Sequence, residues 1–228
     1  MKTFLIVVGL FATAMVSLQA QSVNIAFGAG FSSMSPPKSY EFMYENGMMW
    51  PGVFEESTGQ TSDIGFNISS ILEFRFPIAP ISLTAGISYS QLYGKTASVK
   101  AQSPPWYGTM YTIGELKTRA NILTFRTGAQ WEIIHSFISP YVSLELLYNI
   151  FGDTRLSVSN SSGTTNAVIN GNTRVGLAFG GGFRMAVLAS IDAIVGVNYS
   201  LNNLVTPNNQ EYHKNMLTVG TSLLLNLL

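Results

Sequence analysis

Eight charged residues fall on the same phase of an alternating pattern: Glu73, Arg75, Arg126, Glu132, Glu145, Arg174, Arg184 and Asp192. The chemistry open to such a set is ion pairing, because a charge withdrawn from water is costly unless an opposite charge meets it. Arg184 and Asp192 stand equally far from the centre of a short turn around Leu188 and are expected to face each other. By the same count Glu132 and Glu145 approach across the turn before Pro140, with Arg184 or Arg75 expected to supply the charge between them.

Residues for covalent or acid–base chemistry are scarce. The chain has two histidines, His135 beside Ser136 and His213 near Glu211, and no recognisable motif surrounds either. Cysteine is absent, which excludes disulfides and thiolate metal sites. The Gly180-Gly181-Gly182 run lacks the strand-to-helix context of a phosphate loop and reads as strand glycines in a tight space. No catalytic, cofactor-binding or metal-ligating residue is assigned, and the chain is not expected to be an enzyme.

The elements that must position the charges are strands. Val23, Ile25, Phe27, Ala29 and Phe31 alternate with Asn24, Ala26, Gly28, Gly30 and Ser32, a period of two with one oily and one small or polar face. The pattern returns over Asp63–Phe76, Ile81–Tyr93, Leu116–Ile134, Tyr141–Phe151, Arg174–Met185, Ile191–Asn202 and Met216–Leu228. That makes eight segments, each with at least the roughly 9 to 11 residues a tilted strand needs to cross a bilayer. Their connections alternate in length. Pro77–Pro80, His135–Pro140 and Leu188–Ser190 are tight, whereas Ser35–Ser62, Lys95–Glu115, Asp153–Gly171 and Asn203–Lys214 are long and polar.

Composition points the same way. Of 228 residues 46% are hydrophobic and 11% charged, less than half the roughly 25% usual in a soluble domain. No apolar run beyond the first residues reaches the roughly 18 needed for a spanning helix, and a closed barrel is the remaining way to cross lipid. A net charge of zero argues against a nucleic-acid binder. Residues 1–20 read as a secretory signal, with Lys2, an apolar stretch from Phe4 to Val16, and Leu18-Gln19-Ala20 before the cut, leaving 21–228 as one domain. A soluble sandwich or lipocalin-like barrel with its oily face inward is the alternative, but the other face would then meet water, and it carries mainly Gly, Ser, Thr, Asn and Ala.

Eight alternating strands joined by alternately short and long connections resemble the small eight-stranded OmpA/OmpX-like outer-membrane barrels, over essentially all of residues 21–228. The chain ends Leu225-Asn226-Leu227-Leu228, without the terminal aromatic residue common in that class. The resemblance implies an all-β, antiparallel up-and-down transmembrane barrel exported to a Gram-negative outer membrane, without a peptidoglycan-binding domain. It also implies contact with outer-membrane lipid and lipopolysaccharide, handling by the barrel assembly machinery, and a monomer. His135 with Ser136 is similar to the pair of lipid-A deacylases but sits at a short turn, and His213 lies where a palmitoyltransferase-like site would be.

So narrow a barrel has room inside only for side chains. The eight charges are therefore expected to plug the lumen, the alternative being a narrow polar conduit. Aromatic residues near the strand ends are expected to form two interfacial girdles: Phe31, Tyr89, Tyr93, Tyr148, Phe151 and Tyr199 toward the long loops, Phe74, Phe76, Trp131, Tyr141 and Phe183 toward the turns. Tyr40, Phe42, Tyr44 and Trp50 in the first loop, with Trp106 and Tyr107 in the second, make an oily surface for an extracellular ligand or for packing over the mouth. The expected role is structural or surface interaction, with a small solute channel as the alternative.

Overall fold

The structure is a computed structural model and describes residues 22–34, 39–42, 52–55, 63–76, 80–102, 110–134, 136–160, 163–202, 204 and 215–227. The signal segment 1–20 lies outside the described residues.

Twelve strands follow one another: β1 (Ser22–Met34), β2 (Ser39–Phe42), β3 (Gly52–Glu55), β4 (Asp63–Arg75), β5 (Ile81–Gln102), β6 (Met110–Glu132), β7 (Ile138–Phe151), β8 (Thr154–Asn160), β9 (Gly163–Ile169), β10 (Thr173–Leu188), β11 (Ile191–Leu201) and β12 (Asn215–Asn226). Eight of them, β1, β4, β5, β6, β7, β10, β11 and β12, pair antiparallel with their neighbours in chain order. β1 also pairs with β12, from Asn24↔Asn226 to Met34↔Met216, so the ring closes without a free edge. Closure satisfies every ladder hydrogen bond inside the protein, the condition for placing β-structure in lipid.

The remaining four strands and the far halves of β5 and β6 extend beyond the ring on the side of the long connections. β5 and β6 stay paired to Gln102↔Met110, β8 adds to β6, β9 to β8, and the short β2–β3 pair reaches β5. The segments 95–115 and 153–171, expected to be loops, are thus largely strand. Past Tyr93 the period-two hydrophobic signal stops because neither face there needs to be oily, while backbone pairing continues.

Packing is inside out by the standard of a soluble barrel. The oily phase points outward: Phe27, Phe31, Ile68, Leu144, Phe179, Val197 and Leu223 are all exposed, Leu144 at 49%, whereas Glu73 inside is 2% exposed. The soluble alternative required the opposite. A band of bare aliphatic and aromatic side chains this large around a closed barrel calls for hydrocarbon as its solvent.

Candidate functional site

The inward phase of each strand carries the polar groups, and the charges gather near the short-turn end. Arg184 on β10 reaches across to β4, where its Nη2 donates to Glu73 Oε1 at 2.6 Å. The other oxygen of Glu73 accepts from Asn24 Nδ2 at 3.1 Å. The Nη1 of Arg184 lies 2.6 Å from Glu132 Oε1 on β6, which also receives Arg75 Nη2 at 2.5 Å. Arg126 pairs with Glu145 from the neighbouring strands β6 and β7. Glu73, Glu132, Glu145 and Arg184 are each buried to 5% exposure or less, so these pairs work where water screens little.

Of the eight sequence-selected charges, six enter these pairs: Glu73, Arg75, Arg126, Glu132, Glu145 and Arg184. Asp192 is only partly buried and no ion pair to the network is seen for it among the described residues. Arg174 lies at the opposite end of the lumen, its Nε donating to Asn172 Oδ1 at 3.0 Å and its guanidinium 5.3 Å above the Phe151 ring.

Two expected pairings differ. The partner of Arg184 is Ile194, and that of Asp192 is Ala186, because the turn centres beyond Leu188 and a bulge between Ala186 and Leu188 moves the register. Glu132 pairs with Tyr141, and Glu145 with Gly128, because the β6–β7 connection centres nearer Ser136 than the sequence count placed it. The arginines expected to separate the two glutamates are both present, but they act on Glu132 from β4 and β10 rather than between Glu132 and Glu145.

Above the charges the lumen is lined by amides and hydroxyls. Thr124 donates to Asn149 at 2.7 Å, Asn149 to Asn202 at 3.1 Å, and Asn67 to Ser90 at 2.7 Å. A polar cavity of about 80 Å³ remains, lined among others by Glu73, Arg126, Gln130, Tyr141, Glu145 and Arg184. Gln130 Nε2 and Arg126 Nε are buried without a protein partner, and a cavity of this size has room for waters to satisfy them.

Tyr141, expected in the lower aromatic girdle, points into the lumen and is 8% exposed. It shares the phase of Ser143 and Glu145, and glycines make room for it: a Cβ on Gly196 would stand 2.5 Å from its hydroxyl and one on Gly182 3.0 Å away. Phe151 is likewise buried inside. With Met34, Leu92, Ile122 and Met216 it forms an apolar collar across the lumen near the long-loop end. Sequence reasoning missed this collar although it left a signal, for Leu92 and Ile122 are large aliphatic residues on the otherwise polar phase of their strands. Among the outward girdle residues, Phe31, Tyr93, Trp131, Phe183 and Tyr199 are exposed.

The fold is a closed, eight-stranded, antiparallel up-and-down barrel. No protein-family model matches the chain, and no curated protein matches it. Among solved structures, Neisserial surface protein A is 16% identical over 90% of this chain and 97% of that one, with a TM-score of 0.49. The outer membrane protein OprG from Pseudomonas aeruginosa is 12% identical over 92% of this chain and 99% of that one, at 0.48. The outer membrane protease OmpT from Escherichia coli is 8% identical over 92% and 98%, also at 0.48. Likenesses at this level concern shape alone, and the membrane assignment rests on the barrel's own exterior.

The oily loop surface falls outside what can be placed. Tyr44, Trp50, Trp106 and Tyr107 are not among the described residues, and Tyr40 and Phe42 are described only as backbone of β2. His135 and His213 also lie outside the described residues.

Proposed function

We propose that the protein is an integral outer-membrane barrel with a structural or surface-interaction role and a lumen closed to solutes. The observation that supports this best is the filling of the lumen at two levels. Near the turns, Arg184 spans from Glu73 to Glu132 and lies across the bore. Near the loops, Met34, Leu92, Ile122, Phe151 and Met216 oppose water entry, as an apolar constriction does in a channel. The pairing that extends β5, β6, β8 and β9 past the apolar belt gives the outer side a sheet on which contacts with other molecules can be made.

A small-solute channel is the second reading, favoured by the polar cavity between the two levels. Conductance separates them. Pure protein reconstituted into a planar bilayer should leave the current at baseline, and steady unitary openings would replace the closed-lumen reading with the channel.

A further inference from the structure

Cations also collect on the outside of the barrel, close together on two adjacent strands. Lys117 and Arg119 on β6 and Arg155 on β8 are exposed and share the outward phase, as Arg119 and Arg155 are register partners. Arg119↔Arg155 is thus a like-charge cross-strand pair with Lys117 on the same face beside it, an arrangement that repels unless an anion sits among them.

Among the described residues the surroundings supply little countercharge. None of Lys117, Arg119 and Arg155 is ion-paired among the described residues. The groups Arg119 contacts are neutral. Its guanidinium lies 5.7 Å from the Tyr93 ring, and the Gln91 amide oxygen, once oriented toward it, is 3.0 Å from its Nε. Asp153 Oδ1 is engaged by the Gly171 backbone N–H, and Glu115 alone among acids shares the β6 phase nearby, one step further from the belt.

Height identifies the ligand. From Trp131, exposed at the turn end of β6, to Asn121 is ten residues, which at about 3.3 Å each and a tilt of about 40° rises about 25 Å, the height of an outer-membrane barrel's apolar band. Asn121, the register partner of Gln91, ends that band, and the cations begin at the next outward position. We propose that Lys117, Arg119 and Arg155 form a binding site for the phosphate groups of an anionic glycolipid in the surrounding outer leaflet. The two guanidiniums can each grip phosphate with paired donors, and Lys117 adds charge without fixed geometry. The site rests on the reading of the exterior as lipid-embedded.

The test uses the whole barrel in dodecyl maltoside, titrated with bisphosphorylated lipid A, with the same lipid after removal of both phosphates, and with inorganic phosphate, while bound lipid is counted by native mass spectrometry. Wild type should retain the phosphorylated lipid preferentially, and K117Q/R119Q/R155Q should weaken retention by about fivefold per cation removed. R155Q alone should show its share if the triple variant does not fold. Equal retention by wild type and variants, or of both lipid forms by wild type, overturns the site, and so does displacement of the lipid by millimolar inorganic phosphate, which would mark a free-anion site. Insertion of wild type into phosphatidylcholine vesicles, read by protection from protease, is scored separately. A protein that inserts but ignores the phosphates loses only the site, whereas one that fails to insert loses the membrane reading too.

Discussion

Arg184 and Glu73, 111 positions apart in the chain, meet at 2.6 Å across the full width of the barrel. Their strands, β10 and β4, are separated by three strands whichever way the ring is followed, so this contact ties diametrically opposite walls. Glu132 on β6, midway round the ring, holds the same guanidinium from the side.

Removing Arg184 leaves Glu73 hydrogen-bonded to Asn24 and leaves Glu132 paired with Arg75, in a space that water does not freely enter. Arg184→Ala is expected to cost about 3 to 5 kcal/mol, the range for a buried charge stripped of its counterion. It should lower the temperature at which the barrel loses its compact form in SDS, as read by gel mobility after graded heating. Lys95→Ala, beyond the apolar belt, should leave that temperature unchanged. Equal behaviour of the two variants would remove the case for a lumen network centred on Arg184.

How this network was legible, and where it was not, follows from what each residue has to satisfy. Lipid forces an oily outward phase on every spanning strand, so the inward position of Glu73, Glu145 and Arg184 could be read from period two alone. Register could not, because it depends on turn geometry. A bulge at Ala186/Leu188 sets Arg184 opposite Ile194, and nothing in the identities of residues 186–190 announces it. The extension of β5 and β6 to Gln102↔Met110 was hidden for a related reason, since above the membrane neither face of a strand is obliged to be apolar. The collar was legible and overlooked: Leu92 and Ile122 break the polar phase, and a large residue out of phase in a barrel strand has to fill the lumen. Tyr141 shows the same thing, for its phase places it inside although its position near a strand end suggests a girdle.

If the collar is a second barrier, thinning it should be felt in conductance before it is felt in the ion network. Leu92→Ser combined with Phe151→Ser replaces two buried apolar groups with small polar ones. Because Arg184 lies across the bore as a separate barrier, the pair is placed on Arg184→Ala, and the triple variant should show more frequent current steps in planar bilayers than Arg184→Ala alone. Equal silence of the two, with the SDS-resistant fold retained, would show that the collar is not what closes the bore.

Glycine spacing around Tyr141 gives a stability prediction. A Cβ on Gly182 would come within 2.0 Å of the Val195 carbonyl oxygen, which is backbone and cannot step aside, whereas one on Gly181 meets nothing nearer than the Tyr141 carbonyl oxygen at 3.0 Å. Gly182→Ala should therefore lower the unfolding midpoint in urea by more than Gly181→Ala. The reverse order would mean that Gly182 does not approach the Val195 backbone as closely as described.

Orientation can be read with a protease on whole cells. Cleavage is expected within Ser35–Ser62 and not at the turn Leu188–Ser190, because long connections lie outside in outer-membrane barrels and short ones face the periplasm. Cutting confined to the short turns would invert the barrel and move the proposed phosphate site to the inner leaflet.

The central claim is that the oily phase of each strand faces lipid and the polar phase a filled lumen. The chain contains no cysteine, so single cysteines can be introduced one at a time along β7 and labelled with a nitroxide in phosphatidylcholine vesicles. Collision rates with oxygen, which concentrates in hydrocarbon, and with a water-soluble nickel chelate then report what each position touches. The account predicts high oxygen and low nickel accessibility at Val142, Leu144 and Leu146, with low accessibility to both at Ser143, Glu145 and Leu147. Nickel accessibility at Val142, Leu144 and Leu146, or the absence of any alternation along the strand, would contradict it.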